Sequence, residues 1–380
     1  MKTTTRCFFV LVLLIASTAT AQQPCSEPPR TPFINWSQFH FSPCHTGFNP
    51  YEFILSPSTV SNLALKWSYT TGNDLYSSTA VVNGVVYILS EDGYVYALNA
   101  DTGAKLWSHF TSEGGSSAPA VANGVLYVGA YHNLYALNAS TGAEIWTYTT
   151  GDEVYTTPAV ADGVVYIVSY DGNIYALNAS TGAKLWSYEL NPIYGSSPAV
   201  ADGVVYVGRE FSLVALNAST GALLWTTYTG STISSTPTIA NGVVYVSCQY
   251  AVCALNAATG AELWSSNLTM SFYSSAAVAN GMVYVGSDDY NVYALDAATG
   301  AKLWSYATGS FVDSSPAVAN GVVYVGSYDH NVYALNASTG AKLWSYTTGE
   351  LVLSSPAVVN GIVYIGSWDH DVYAFSLPSH

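Results

Sequence analysis

The stretch from Ser314 to Gly349 reads SSPAVANGVVYVGSYDHNVYALNASTGAKLWSYTTG, and its reading decides the fold. It divides into four short runs rich in β-branched and aromatic residues: SPAVA (strand A), VVYVGS (strand B), NVYALN (strand C) and KLWSYTT (strand D). Asn320-Gly321 between A and B is the pair that accepts positive φ in a type I′ hairpin. Between C and D, Asn336 can bond its own downstream backbone while Gly340 takes a left-handed conformation. The unit is therefore a four-stranded antiparallel meander.

Working outward, the same unit recurs along the chain. Trp67, Trp107, Trp146, Trp186, Trp225, Trp264, Trp304 and Trp344 stand 39 or 40 residues apart, the period of a repeat array. Asn-Gly or Asp-Gly returns at 83–84, 123–124, 162–163, 202–203, 241–242, 280–281, 320–321 and 360–361. Period-2 patterning with frequent hairpin turns excludes a helical solenoid, and four strands per unit favour a β-propeller over a tandem of sandwiches. A–B–C runs begin at Ser77, Ser117, Thr156, Ser196, Ser235, Ser274, Ser314 and Ser354, but the first D run, Leu63 to Thr70, precedes them all. The last unit stops after its C run at 371–377. The expected fold is thus all-β: an eight-bladed propeller of four-stranded antiparallel blades, closed by the N-terminal strand completing the last blade. Such closure leaves no open sheet edge at the ends of the array.

Composition agrees with one large β core, since half the residues are apolar and only 9% are charged. Residues 1–21 carry Lys2 and Arg6, an apolar run from Phe8 to Ile15, and Ala19-Thr20-Ala21, the pattern of a cleaved signal peptide. The apolar run is too short to span a bilayer, so an exported protein without a transmembrane segment is expected, periplasmic or extracellular. The organisation reads as signal peptide 1–21, N-terminal arm 22–60 and propeller 61–380. Cys25, Cys44, Cys248 and Cys253 remain after the leader, and two local disulfides, Cys25–Cys44 and Cys248–Cys253, are the simplest reading in an oxidising compartment. Zinc is the alternative, against which no CxxC spacing appears.

The stretch ALNASTGAKLW (Ala334 to Trp344), repeated with small changes, resembles the tryptophan-docking motif of the pyrroloquinoline-quinone (PQQ)-like propeller family. The resemblance spans nearly all of 61–377, and NWSQFHFSPCHTGFNP (Asn35 to Pro50) is similar to that family's N-terminal lead-in. It implies that each Trp packs between adjacent blades. It also implies two kinds of function, because the family holds quinoprotein alcohol and sugar dehydrogenases and cofactor-free, BamB-like scaffolds. PQQ and calcium are cofactors by that resemblance alone. The chain has no adjacent Cys-Cys pair, no long inserted loop and no CxxCH, features that mark many of the quinoproteins.

Strand direction puts the A–B and C–D turns on one face of the disc and the B–C and D–A connections on the other, here called the top. The bottom turns are near-copies, whereas the D–A loops differ widely, and differences between repeats are where a repetitive scaffold carries function. The residue before each A run reads Tyr76, Ser116, Tyr155, Gly195, Ser234, Tyr273, Asp313 and Leu353, and this ring near the axis is the candidate ligand-binding surface. Tyr131, Tyr170, Tyr250, Tyr328 and Trp368 in the B–C hairpins are candidate aromatic platforms. Asp329, His330, Asp369 and His370 occupy equivalent turns of neighbouring blades and are weak metal candidates, for which a polar turn is the plainer reading. No catalytic residues emerge.

The net charge of −15 falls largely on the top, through Asp74, Glu91, Asp152, Glu153, Asp288, Asp313 and their neighbours. An acidic face excludes nucleic acid as a partner and favours cations, basic peptides or hydroxyl-rich ligands. The expected protein is a monomeric, exported, non-catalytic scaffold that takes a protein partner or a small polar ligand on its top face. The alternative is a PQQ- and calcium-dependent alcohol or sugar dehydrogenase.

Overall fold

A computed structural model describes residues 34–191, 196–248, 250–266, 268 and 273–378. Eight sheets stand around one axis, each built on an antiparallel meander of four strands; the seventh gains a fifth, parallel strand, Phe48–Asn49, on its inner edge, and the eighth joins both ends of the propeller. In the seventh blade the strands are Ala317–Ala319, Val322–Gly326, Asn331–Asn336 and Lys342–Thr347. Strand A is shorter than the sequence suggests. Pro316 precedes it and has no N–H to give the ladder. The B and C strands are buried almost throughout, while most D strands alternate between exposed and half-buried on the rim. Each D strand skips a residue ahead of its Trp, as between Lys302 and Trp304, and the residue skipped faces out in most blades: Leu106, Leu185, Leu263 and Leu303 are about half exposed, whereas Leu343 packs against the core beside the chain-end seam.

The eighth blade closes the ring as expected. Its order is Ala64–Thr70, Asp371–Ser376, Ile362–Gly366 and Ala357–Val359, and the N-terminal strand adopts the register of an ordinary D strand, with Trp67 opposite Ala374 as Trp344 is opposite Ala334.

The tryptophans lock neighbouring blades. Trp304 Nε1 donates to Ala337 O of the next blade at 2.9 Å, and the B-strand Tyr284 hydroxyl donates to the same carbonyl at 3.2 Å. The pairing recurs with Trp107 and Tyr87 on Ala139, Trp146 and Tyr127 on Ala179, and Trp67 and Tyr364 on Ala100. Every indole but that of Trp344 also packs against the glycine closing the next C–D turn. A Cβ on Gly340 would stand 2.6 Å from the Trp304 ring, and φ there is +72°, so the position demands glycine twice over.

Around the axis, the second residue of each Ser/Thr pair builds a ladder of buried hydrogen bonds between blades. Ser275 N donates to Ser315 Oγ, Ser315 N to Ser355 Oγ, and Ser355 N to Ser78 Oγ across the chain-end seam, each at 2.9 Å. Cys248 and Cys253 form the expected disulfide across the fifth blade's B–C hairpin, with Cα atoms 5.8 Å apart. Cys44 is also disulfide-bonded, while Cys25 and the segment 1–21 lie outside the described residues.

Candidate binding face

The A strands run from the Ser/Thr pairs at the top to the Asn-Gly and Asp-Gly turns at the bottom, so their inner edges line the axis. The arm occupies that edge at the bottom, in blade order. Trp36 exchanges two 2.8 Å hydrogen bonds with Val81, Ser37 O accepts from Val121 N, and the Gln38 side-chain amide pairs with both backbone groups of Val160. Pro43 O, Cys44 O, Thr46 O and Gly47 O then accept from Val200, Ile239, Val278 and Val318, and Asn49 Nδ2 donates to Val358 O. One segment of chain therefore touches the middle residue of every A strand. It satisfies backbone groups that would otherwise be buried without partners, and it plugs the lower end of the axis.

His40 and His45 sit inside this plug, fully buried. Phe39 stacks on His40 with centroids 4.3 Å apart and meets His45 edge-on at 5.7 Å. No ring nitrogen of either histidine has a hydrogen-bond partner among the described residues, although the backbone of His45 and Ser315 stands close to the His40 ring. Burial pushes His40 down to about 4 and His45 to about 3, the latter helped by the neighbouring His40, so both are neutral near pH 7.

The candidate ring lies at the opposite end, the top. Tyr76 packs against Trp368 with centroids 4.7 Å apart, and Tyr155 against Tyr170 at 5.6 Å. Ser116 Oγ donates to Tyr155 O at 3.4 Å, Tyr273 is exposed, and Ser234 and Leu353 are half-buried. Gly195 lies outside the described residues. Asp313 Oδ2 accepts from the Tyr328 hydroxyl at 2.6 Å, and its carboxyl contacts that of Asp288 in the sixth blade. Burial and the Asp313 carboxylate raise Asp288 to about 6. Burial, with Glu153 and Glu91 nearby, raises the Tyr155 hydroxyl to about 12, which keeps it protonated.

The acidic residues of the top divide by role. Asp329 Oδ1 accepts from Asn331 N, while its Oδ2 accepts from the Tyr333 hydroxyl and from Gly309 N. Asp369 does the same with Asp371 N, Tyr373 and Gly349 N. Asp92, Asp171 and Asp289 hold Tyr96, Tyr175 and Tyr293 in the same way. These carboxylates pin the B–C turn to strand C. His330 and His370 follow at positive φ, and His370 Nε2 lies 3.1 Å from Asp74 Oδ1. The four weak metal candidates do not converge, and among the described residues no three His, Cys, Asp or Glu side chains are grouped to hold a metal. Asp74, Glu91, Glu153, Asp288 and Asp313 are not tied to the Asp–Tyr turn pattern. The contact between Asp288 and Asp313 has no sequence signal, because the two belong to adjacent blades and different repeat positions.

The repeat and its tryptophan docking place this propeller in the class of PQQ-like repeat proteins. The chain belongs to that family: its profile, described as outer membrane protein assembly factor BamB, matches residues 61–117, 91–192, 172–265 and 248–379. No curated protein matches the sequence. Among solved structures, BamB from Moraxella catarrhalis is similar at 21% identity, covering 83% of this chain and 99% of its own, with a TM-score of 0.73. A europium-containing methanol dehydrogenase is similar at 14% identity, 90% and 98% coverage, TM-score 0.78. The quinohemoprotein alcohol dehydrogenase of Comamonas testosteroni follows at 17% identity, 91% and 81% coverage, TM-score 0.78. At such identities the likeness is one of fold.

The residues of the top do not suit PQQ with calcium. Calcium takes about six to eight oxygens, whereas five of the carboxylates here are each engaged by a tyrosine hydroxyl and no three acidic or imidazole groups converge among the described residues. The depression between Glu153, Tyr155 and Tyr170 is shallow and encloses about 0 Å³, against the roughly 300 Å³ at which small-molecule sites begin.

Proposed function

We propose that this protein is an exported, non-catalytic scaffold that binds a protein or small polar ligand on its acidic top face. The observation that carries the reading is the plug. The arm engages all eight A strands at the bottom of the axis, so the variable, acidic, aromatic mouth is the face left for a partner. The family match supports a scaffold, since the matching profile is that of an assembly factor. Among the described residues no helix is long and apolar enough to cross a membrane, in keeping with an exported domain.

The test is affinity capture from the native envelope with wild type and with Tyr155→Ala/Tyr273→Ala/Asp313→Asn combined. Partners held by wild type and lost by the triple variant support the reading. Equal capture by both proteins, with unchanged thermal unfolding, would move the binding surface elsewhere.

A further inference from the structure

We infer that the bottom face carries a set of self-modifying asparagines: Asn83, Asn123, Asn241 and Asn280 convert to aspartate and isoaspartate in the folded protein, while the arm shields Asn320 and Asn360 in the same Asn-Gly turn. The inference is independent of the top-face reading. In an Asn-Gly pair the glycine nitrogen, unhindered by a following side chain, attacks the asparagine Cγ. A C–N bond forms to close a succinimide, the N–H proton passes to solvent base, and the side-chain nitrogen leaves as ammonia. Water then opens either carbonyl, giving aspartate or isoaspartate. The reaction needs only water, and a side-chain amide and a backbone nitrogen free to turn toward each other.

In these hairpins the asparagine φ lies between 43° and 54°, so the turn itself does not tell the sites apart. Their surroundings do. Asn123, Asn241 and Asn280 are exposed, their side chains bond no other group among the described residues, and a Cβ on Gly124, Gly242 or Gly281 would meet nothing within 4 Å. At Asn83 the arm reaches only the backbone, Asn35 Oδ1 accepting from Asn83 N at 3.0 Å, and the side chain is exposed. The other two turns are covered. Asn320 Nδ2 donates to Leu55 O at 2.9 Å, and Pro57 lies against Gly321. Asn360 is tied at both ends of its amide, Oδ1 accepting from Ile34 N at 3.2 Å and Nδ2 donating to Ile34 O at 3.0 Å. The nitrogen that would attack it, Gly361 N, donates to Glu52 Oε2 at 2.9 Å, and Ile54 packs over that glycine. Here the reaction has to wait for the arm to lift. The chain supplies its own control: ANGVVYV stands identically at 240–246 and 319–325, so a difference between Asn241 and Asn320 in the folded protein comes from what surrounds the turn. The aspartate product fits, because Asp162 and Asp202 already hold this turn at φ 50° and 51°. Isoaspartate does not, since it adds a main-chain carbon inside a two-residue turn that follows an A strand of three residues.

The experiment is incubation of the purified protein at mildly alkaline pH and physiological temperature, with a parallel sample in concentrated urea. Peptide mass spectrometry then reads the amide-to-acid mass gain at each asparagine over time. In urea all six sites are expected to convert at similar rates. In the folded protein Asn241 is expected to convert at least about tenfold faster than Asn320, because the arm's hydrogen bonds must open first. Asn83, Asn123 and Asn280 are expected to outpace Asn360 in the same way. Glu52→Ala frees Gly361 N and is expected to speed Asn360 severalfold while leaving Asn241 unchanged. Acceleration of Asn360 and Asn241 together marks unfolding of that variant, and the wild-type ratio of Asn241 to Asn320 then decides alone. Conversion confined to the urea sample would remove the modification sites, and equal folded-state rates at Asn241 and Asn320 would remove the shielding by the arm.

Discussion

Trp344 donates its indole N–H to the carbonyl of Leu63 at 2.9 Å, across 281 residues of chain. At the other blade junctions described above the acceptor is an alanine in the C–D turn of the next blade, which also receives a tyrosine hydroxyl. In the eighth blade that turn does not exist, because strand C ends the chain and strand D begins the propeller. Leu63 O replaces the missing acceptor for Trp344, but among the described residues nothing replaces it for the preceding B-strand tyrosine: the Tyr324 hydroxyl is buried with no hydrogen bond there.

The seam therefore has a measurable asymmetry. Tyr127→Phe removes a 2.9 Å hydrogen bond to Ala179 O and is expected to cost about 1 kcal/mol. Tyr324→Phe removes only a hydroxyl that bonds nothing, so it is expected to be neutral or stabilising. Paired urea denaturation curves check this, and equal losses at both positions would contradict the seam.

The serine ladder lacks a rung where the second blade begins. The second residue of the pair is Ala118 in the second blade, so no side-chain oxygen stands there for Ser78 N, whereas Ala118 N itself donates to Thr157 Oγ1 at 3.1 Å. Ala118→Ser supplies the absent rung and is expected to raise stability by about 1 kcal/mol, read as a higher urea midpoint at unchanged slope.

The plug makes stability depend on acid. His40 and His45 titrate near 4 and 3 when folded and near 6.5 when unfolded, so the unfolded chain binds more protons as pH falls. Their contribution is complete above about pH 6.5 and is lost at up to about 1.4 kcal/mol per pH unit for each histidine as the pH drops toward the folded values. His40→Leu/His45→Leu is expected to flatten unfolding free energy against pH over this window. A variant with the wild-type slope would show that the imidazoles are not the acid-sensitive groups.

Much of this was legible in the sequence because a repeat states its structure many times. The tryptophan period, the Asn-Gly and Asp-Gly turns with Asn83, Asp162 and Asn320 at positive φ, the displaced first D run and the Cys248–Cys253 bridge follow from spacing and local turn chemistry. The arm did not yield to that reading. Residues 36–49 have no periodicity, and their hydrogen bonds are made by backbone groups and two amide side chains to strands far along the chain. The turn aspartates were visible as polar turn residues, but their bonds to tyrosines four positions on, as from Tyr333 to Asp329, appear only with coordinates. Asp288 against Asp313 depends on blade adjacency, which a periodicity count does not resolve.

The central claim is that the top mouth is the working face and the bottom is closed by the chain's own arm. Hydrogen–deuterium exchange with and without a captured partner tests it most directly. The account predicts added protection in the D–A loops around Tyr76, Tyr155 and Asp313 and in the B–C hairpins at Tyr328 and Trp368, with residues 36–49 unchanged. Protection confined to the Asn-Gly turns and the arm, with the top loops exchanging as before, would contradict it.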